Sequence, residues 1–396
     1  MTATAPALAD AFVERFVVEP AADGPLRGAS FAAKDLFDVA GRHTGCGNPT
    51  WRATHAPATA NAVVVQALLQ AGARLIGKTR TDEMAYSIEG RNFHEGAPRN
   101  PAAPERLTGG SSSGAASAAA ASQVDFAIGT DTAGSVRVPA AWCGLVGLRP
   151  THARVSAGGV TPLAPSFDTC GWFSRNASVL AGVGEVLLPG GKQGVEGPLL
   201  RVEEAWVNAQ PDVAEALRPA LEKLEQLRGR SVGVRIAPEG IDSFFDHFRT
   251  VQAEEAWTSL GGWIEAVQPR FGPGVRERFA AAKATDPAVA APGRAFRRLV
   301  QARIRPLLAG GAVLIYPTSP CTAPLLTASL AEQDVVRQAT VGVTAIAGLC
   351  GLPEVTLPAG TVDGAPVGLS LVAAQGLDRG LLAFACDAAS VLGLPV

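Results

Sequence analysis

Residues 109–123 read GGSSSGAASAAAASQ, with no side chain larger than serine before Gln123. Such a surface lets a helix backbone pack closely against a sheet, which few other arrangements of the chain would exploit. The residues that follow, Val124, Phe126 and Ile128, alternate with the two-residue period of a strand. The sequence therefore predicts a helix over about 114–122 running into a strand over 124–128. That unit holds two glycine-flanked turns, 109–114 and 129–140, at a fixed separation.

The same reading places strands at 26–33, 74–77, 231–236, 313–316, 354–357 and 367–372, and helices at 62–71 and 378–392. Val213, Leu217, Leu221 and Leu224 fall at helical spacing, with Pro219 expected to kink that helix. Neither end of the chain has strands enough for a broad core, so the two ends are expected to share one mixed sheet. The predicted fold is a single large α/β domain over 1–396. Within it, 20–180 carries the core and the serine turns, 203–306 a mostly helical cap or insertion, and 311–396 the C-terminal part of the core.

A formal net charge of −2 and a pI near 6.2 give no long-range field for nucleic acid, so a small, near-neutral molecule is the expected partner. Asp10, Glu14 and Arg15 interrupt the short apolar runs of the N-terminus, unlike a signal peptide. The longest apolar stretch, 339–352, is too short for a bilayer and reads as a buried core helix. Cys46, Cys143, Cys170, Cys321, Cys350 and Cys386 are scattered without a CxxC pair, which reads as reduced thiols of a cytoplasmic protein. No His/Cys/Asp cluster has metal-ligand spacing, and neither a metal nor a cofactor is expected.

Serine needs a partner that takes its proton before it can attack. In 129–140, GTDTAGSVRVPA, Ser135 follows Thr132, Ala133 and Gly134 at the end of the predicted strand. Small residues there let successive backbone N–H groups converge on one point, as an oxyanion hole or anion nest requires. The GGSSSG turn at 109–114 has three readings: a solvated loop, a phosphate cradle, and a nucleophile elbow, since Gly110, Ser112 and Gly114 satisfy G-x-S-x-G. An elbow needs a late histidine. His43, His55, His94, His152 and His247 leave the last 149 residues without one.

Lysine is scarce: Lys34, Lys78, Lys192, Lys223 and Lys283 stand against 29 arginines. Lys34 lies between Phe31-Ala32-Ala33 and Asp35-Leu36-Phe37, where a charge adds nothing to solubility. One reading is an ion pair with Asp35 or another carboxylate. The other is a base, because a desolvated amine can lose its proton whereas a guanidinium cannot. Burial can lower a lysine from ~10.4 by ~3 to 5 units.

Together these segments resemble the amidase signature family. The run 109–139 follows the family's Gly/Ser-rich signature, with Ser111 and Ser135 at the family's spacing of 24. The likeness extends through Gly77-Lys78-Thr79 with Asp82-Glu83 and through Ser166-Phe167-Asp168-Thr169 to Pro366-Val367-Gly368-Leu369. It implies a mixed sheet covered by helices on both sides. It implies also that Ser135 is the nucleophile, Ser111 a bridging serine after a cis peptide bond, and Lys34 the base. Backbone N–H groups of Thr132, Ala133, Gly134 and Ser135 would hold the oxyanion, with Asp131 and Arg137 bracing the turn as an ion pair.

The segments Asp35-Leu36-Phe37-Asp38, Thr44-Gly45-Cys46-Gly47-Asn48-Pro49 and Arg137-Val138-Pro139-Ala140 are similar to those of short amidases resembling plant indole-3-acetamide hydrolases. The implied substrate is a small aryl or indolic primary amide, cleaved to carboxylate and ammonia, with Tyr86, Trp142 and Phe167 as candidates for aromatic contact. Two alternatives within the family are an amidotransferase subunit that delivers ammonia to a partner and a non-catalytic docking protein. The sequence is compatible with a homodimer. One departure is Ala133-Gly134 where the family often has two glycines, which is tolerable if Ala133 has negative φ.

Two further signals are read as structural. Residues 72–79, GARLIGKT, match the P-loop pattern, but a helix precedes them and their interior reads as strand, which assigns Lys78 a structural role. Arg294, Arg297, Arg298, Arg303 and Arg305 form a basic helix read as a solvated face.

Overall fold

The computed structural model describes residues 8–190 and 194–396. In chain order the strands are β1 (Leu8–Ala9), β2 (Phe12–Val18), β3 (Ser30–Lys34), β4 (Arg74–Thr79), β5 (Ala97–Pro98), β6 (Phe126–Asp131) and β7 (Val146–Arg149). They continue with β8 (Thr169–Ser174), β9 (Leu199–Val202), β10 (Val232–Val234), β11 (Val313–Pro317), β12 (Glu354–Val362) and β13 (Ala365–Val372). Strands β1 and β5 form a separate pair, and the others one mixed sheet ordered β10-β9-β11-β13-β12-β7-β8-β6-β3-β4-β2. Parallel blocks β10-β9-β11 and β6-β3-β4 flank an antiparallel centre. The two ends of the chain meet where β7 pairs with β12.

Helices cover both faces. On one, Phe31, Phe126, Trp172, Leu357 and Leu371 pack in a single cluster with residues of the helices Val63–Gln70, Ala177–Leu187, Pro211–Arg228 and Asp378–Leu392. On the other, Ala32, Ala127 and Phe173 meet the alanines of helix Ser113–Ala120. Further along that face, Leu314, Tyr316 and Val372 meet Phe244, Phe248, Val300 and Ile346 from the helices Asp242–Val267, Pro287–Ile304 and Leu330–Cys350. The alanine helix sits as close as its composition allows: a Cβ on Gly114 would lie 2.3 Å from the Ala11 carbonyl oxygen.

Several elements differ from the sequence expectation. The strand expected over 124–128 is Phe126–Asp131, so it delivers its last residue directly into the turn that bears Ser135. Strands β7 and β8 and helix Arg137–Cys143 have no alternation to betray them, because each is buried along its whole length. Strand β2 escapes for another reason: two register irregularities break its pattern. The helix through Pro219 runs on from Pro211 to Arg228. The segment 203–306 divides between the two faces, and β10 within it extends the sheet. Among the described residues no helix is long and apolar enough to cross a membrane.

Candidate active site

Strands β3 and β6 are parallel neighbours, so Lys34 and Asp131, their last residues, emerge at one edge of the sheet. Lys34 is fully buried, with Nζ 2.7 Å from Ser111 Oγ and 2.7 Å from Thr130 Oγ1. The peptide bond between Gly110 and Ser111 is cis. Gly110 admits no side chain, since a Cβ there would stand 2.2 Å from Asp82 Oδ2. Asp82 holds this turn from both sides: its N–H donates to the Ser111 carbonyl at 3.0 Å, while Oδ2 accepts from Ser87 Oγ and the Gly90 N–H.

Burial pulls Lys34 down to about 7, against Asp82, Asp131 and Asp168, whose charges favour the ammonium. Asp82 is itself pushed up to about 6, by burial first and by Glu89 second. Neutral Lys34 is therefore accessible near pH 7, where a solvated lysine is almost wholly charged. The ion-pair alternative falls to another residue: Asp35 pairs with Lys78 at 2.7 Å, and Lys78 also donates to the His43 carbonyl and Thr44 Oγ1. Lys78 lies within β4, where a P-loop would need a phosphate-binding turn.

The Ser135 turn is organised by one carboxylate. Asp131 Oδ1 accepts from the Gly134 N–H, Arg137 and Arg149, and Oδ2 accepts from the Val136 N–H and from Arg137. Burial alone would raise this carboxyl, but the Arg137 and Arg149 guanidiniums outweigh it and hold the group well below the usual carboxylate range. Arg137 reaches on to Glu354 at 2.7 Å, and Glu354 also accepts from Tyr316 and Ser370. Sequence reasoning missed Arg149 and Glu354. Arg149 carried a signal, a charge closing the apolar run Leu145-Val146-Gly147-Leu148, the same anomaly that singled out Lys34.

The oxyanion set needs a correction. The Gly134 N–H is spent on Asp131 Oδ1 at 2.9 Å, which removes it from the expected set of donors. Among the described residues the N–H groups of Thr132, Ala133 and Ser135 have no protein acceptor. Gly134 has φ +124°, and a Cβ on it would press on Val138 and Thr344, so the glycine is obligatory. Ala133 is outside the positive-φ residues, so its methyl group is accommodated. Ser135 lines a narrow cavity, and among the described residues its hydroxyl makes no hydrogen bond to Ser111. Of the elbow reading nothing is assembled: Ser112 Oγ donates to the Thr130 carbonyl, His152 bonds the Pro165 carbonyl, and His247 packs on Phe296.

A family model described as Amidase matches residues 2–189 and 200–382. The chain belongs to the amidase signature family. It is 41% identical over 409 residues to Amidase 1 of Oryza sativa subsp. japonica, covering 94% of this chain and 93% of that one. To Amidase 1 of Arabidopsis thaliana it is 38% identical over 407 residues, covering 94% and 96%. A crystal structure of an amidase superposes with a TM-score of 0.83 at 31% identity, covering 92% of this chain and 85% of the other.

In this amidase-family chain the wall of the Ser135 cavity includes Tyr86, Ile88, Phe245 and Val341. Of the three aromatics named from sequence only Tyr86 lines it. Trp142 is buried with its Nε1 on the Cys321 carbonyl, and Phe167 packs on Phe248 with ring centroids 4.6 Å apart. A larger apolar chamber of about 280 Å³, bordered by Leu36, Val160 and Leu163, shares Ala85 and Thr132 with the first cavity. The basic helix is less solvated than its charge suggested. Arg297 donates to Ser166 Oγ, the Ser166 carbonyl and the Leu349 carbonyl, and Arg303 pairs with Glu239.

Proposed function

We propose that the protein hydrolyses the C–N bond of a small amide through an acyl-enzyme on Ser135. The observation that carries this reading is a fully buried lysine amine 2.7 Å from Ser111 Oγ. Neutral Lys34 takes the Ser111 proton as Ser111 takes that of Ser135, and the Ser135 oxygen bonds to the amide carbon. The N–H groups of Thr132, Ala133 and Ser135 are the donors available to the oxyanion. The same relay returns a proton to the departing nitrogen. Water then attacks the ester, yielding the carboxylate and free Ser135. The gap between Ser111 and Ser135 closes when substrate is bound, as catalytic hydrogen bonds commonly tighten only in the complex.

The substrate in this reading is an aryl or indolic primary amide, and ammonia is the second product. The Amidase 1 relatives support an amide as substrate, and a cavity whose Tyr86 and Phe245 offer aromatic surface beside Ser135 supports the aryl part. The test is labelling with a fluorophosphonate probe together with ammonia release from aliphatic, aryl and indolic amides. Ser135 should be labelled, and Ser135→Ala should abolish both labelling and turnover. Labelling that persists in that variant places the nucleophile elsewhere, and a wild type that neither labels nor turns over any amide supports the docking alternative instead.

A further inference from the structure

Three polar side chains on the wall of the Ser135 cavity are left without hydrogen-bond partners among the described residues. Among the described residues, the Tyr86 hydroxyl, the Gln252 carboxamide and the Arg278 guanidinium make no hydrogen bond, and Arg278 makes no ion pair. The Arg278 Nε is buried as well as unpaired. The three come from separate parts of the chain: Tyr86 from the end of the turn Glu83–Ala85, Gln252 from helix Asp242–Val267, and Arg278 from helix Val275–Lys283. Tyr86 is buried and Gln252 and Arg278 are half-buried around one cavity, and Arg278 Nε lacks the acceptor that buried donors in native proteins nearly always have, which points to a missing group.

The charge on this wall is only partly compensated, since Asp334 acts on Arg278 through space without a direct ion pair. No carboxylate lines the cavity. Its other cation, Arg337, is already held by Asp334 at 2.7 Å, with Glu89 at 3.7 Å. Glu277, the acidic residue next to Arg278 in sequence, is engaged by Arg276. Arg278 lies over the Tyr86 ring, 5.9 Å from its centroid. Burial pushes the Tyr86 phenol up to about 12, so it stays neutral and donates.

We propose that this wall binds a carboxylate carried by the substrate, remote from the amide presented to Ser135. This rests on the acyl-transfer reading above and narrows its substrate class to amides that bear a second, anionic group. A guanidinium offers two parallel N–H donors to a carboxylate, and the Gln252 amide and Tyr86 hydroxyl supply the remaining lone pairs with partners. Ile88, Phe245 and Val341 line the same cavity and suit the apolar spacer between the two ends.

The test uses a matched pair, 4-carboxyphenylacetamide and its isostere 4-methylphenylacetamide. Binding of each is measured by calorimetry to full-length Ser135→Ala protein, which needs no turnover, and kcat/KM is measured on the wild type. The carboxylated amide should bind roughly tenfold to a hundredfold more tightly, as a charge-assisted hydrogen-bond pair predicts. In the Ser135→Ala, Arg278→Leu double variant that preference should fall to within about threefold, with Arg278→Lys in the same background keeping part of it. Equal binding of the pair, binding of neither, or a preference that survives Arg278→Leu overturns the inference. Tight binding of the carboxylated amide with no turnover of either by the wild type leaves the inference standing and overturns the acyl-transfer reading. Should Arg278→Leu fail to fold, the comparison on Ser135→Ala decides alone.

Discussion

Replacing Lys34 by methionine should end catalysis and yet stabilise the fold at neutral pH. In the unfolded chain the amine keeps its ordinary value of 10.5, while in the folded protein burial holds it near 7. Between those two values the unfolded chain binds one more proton than the folded one, so stability rises with pH across that window. Keeping the amine uncharged therefore costs its full amount below about pH 7 and nothing above about 10.5. At 1.36 kcal/mol per pKa unit the full cost is about 5 kcal/mol, and about 4 at pH 7 itself. Methionine removes this cost but also two hydrogen bonds, to Ser111 and Thr130, each contributing about 1 kcal/mol net. The variant should be more stable than wild type by about 2 kcal/mol at pH 7. The difference should swing by about 3 kcal/mol and change sign on reaching pH 10. Urea unfolding of both proteins at pH 7, 8, 9 and 10 measures it, with ammonia release as the activity readout. A stability difference flat across that range would mean that Lys34 stays charged in the fold, and a charged lysine cannot be the base.

The wild-type kcat/KM should fall as pH drops through about 7, because protonated Lys34 cannot accept a proton, and Asp82→Asn should move that limb to lower pH by removing a charge that favours the ammonium. An acid limb near 4, or an unmoved one in Asp82→Asn, contradicts the assignment. Gly110→Ala should destabilise by about 1–3 kcal/mol, because its Cβ would overlap the Asp82 carboxylate, and a urea midpoint equal to wild type would refute that contact. Arg137→Met should cost about 3–5 kcal/mol, because it leaves Asp131 and Glu354 as buried carboxylates short of a partner; a loss under about 1 kcal/mol would show that the network relaxes.

What was legible in the sequence were residues at odds with their neighbours. Lys34 among apolar side chains and an alanine helix between two serine turns are local anomalies, and each has a local physical cause: desolvation in one case, close backbone approach in the other. What stayed hidden depends on partners far along the chain. Arg137 meets Glu354 from the last paired strands, and nothing near either residue announces the other. Arg297 sits in a charged helix that reads as solvated, yet its guanidinium is captured by Ser166 and the Leu349 carbonyl. The proposed oxyanion donors show the same division at finer scale. Small residues at 132–135 foretell that N–H groups are accessible, but which one is free turns on where a single carboxylate points, and Asp131 takes the Gly134 proton for itself.

The poise of Lys34 joins both kinds of information. Its burial follows from the apolar residues beside it, which alone would drive the amine towards neutrality. The opposing pull comes from Asp82, Asp131 and Asp168, brought in from three separate segments. Neither influence alone gives the base that the proposed relay needs at neutral pH: desolvation unopposed would make the amine a weak proton acceptor, and the carboxylates unopposed would keep it permanently charged. The balance near 7 is thus a property of the sheet edge that assembles these segments, and any substitution that alters one of the three carboxylates should be read in the pH profile before it is read in the maximal rate.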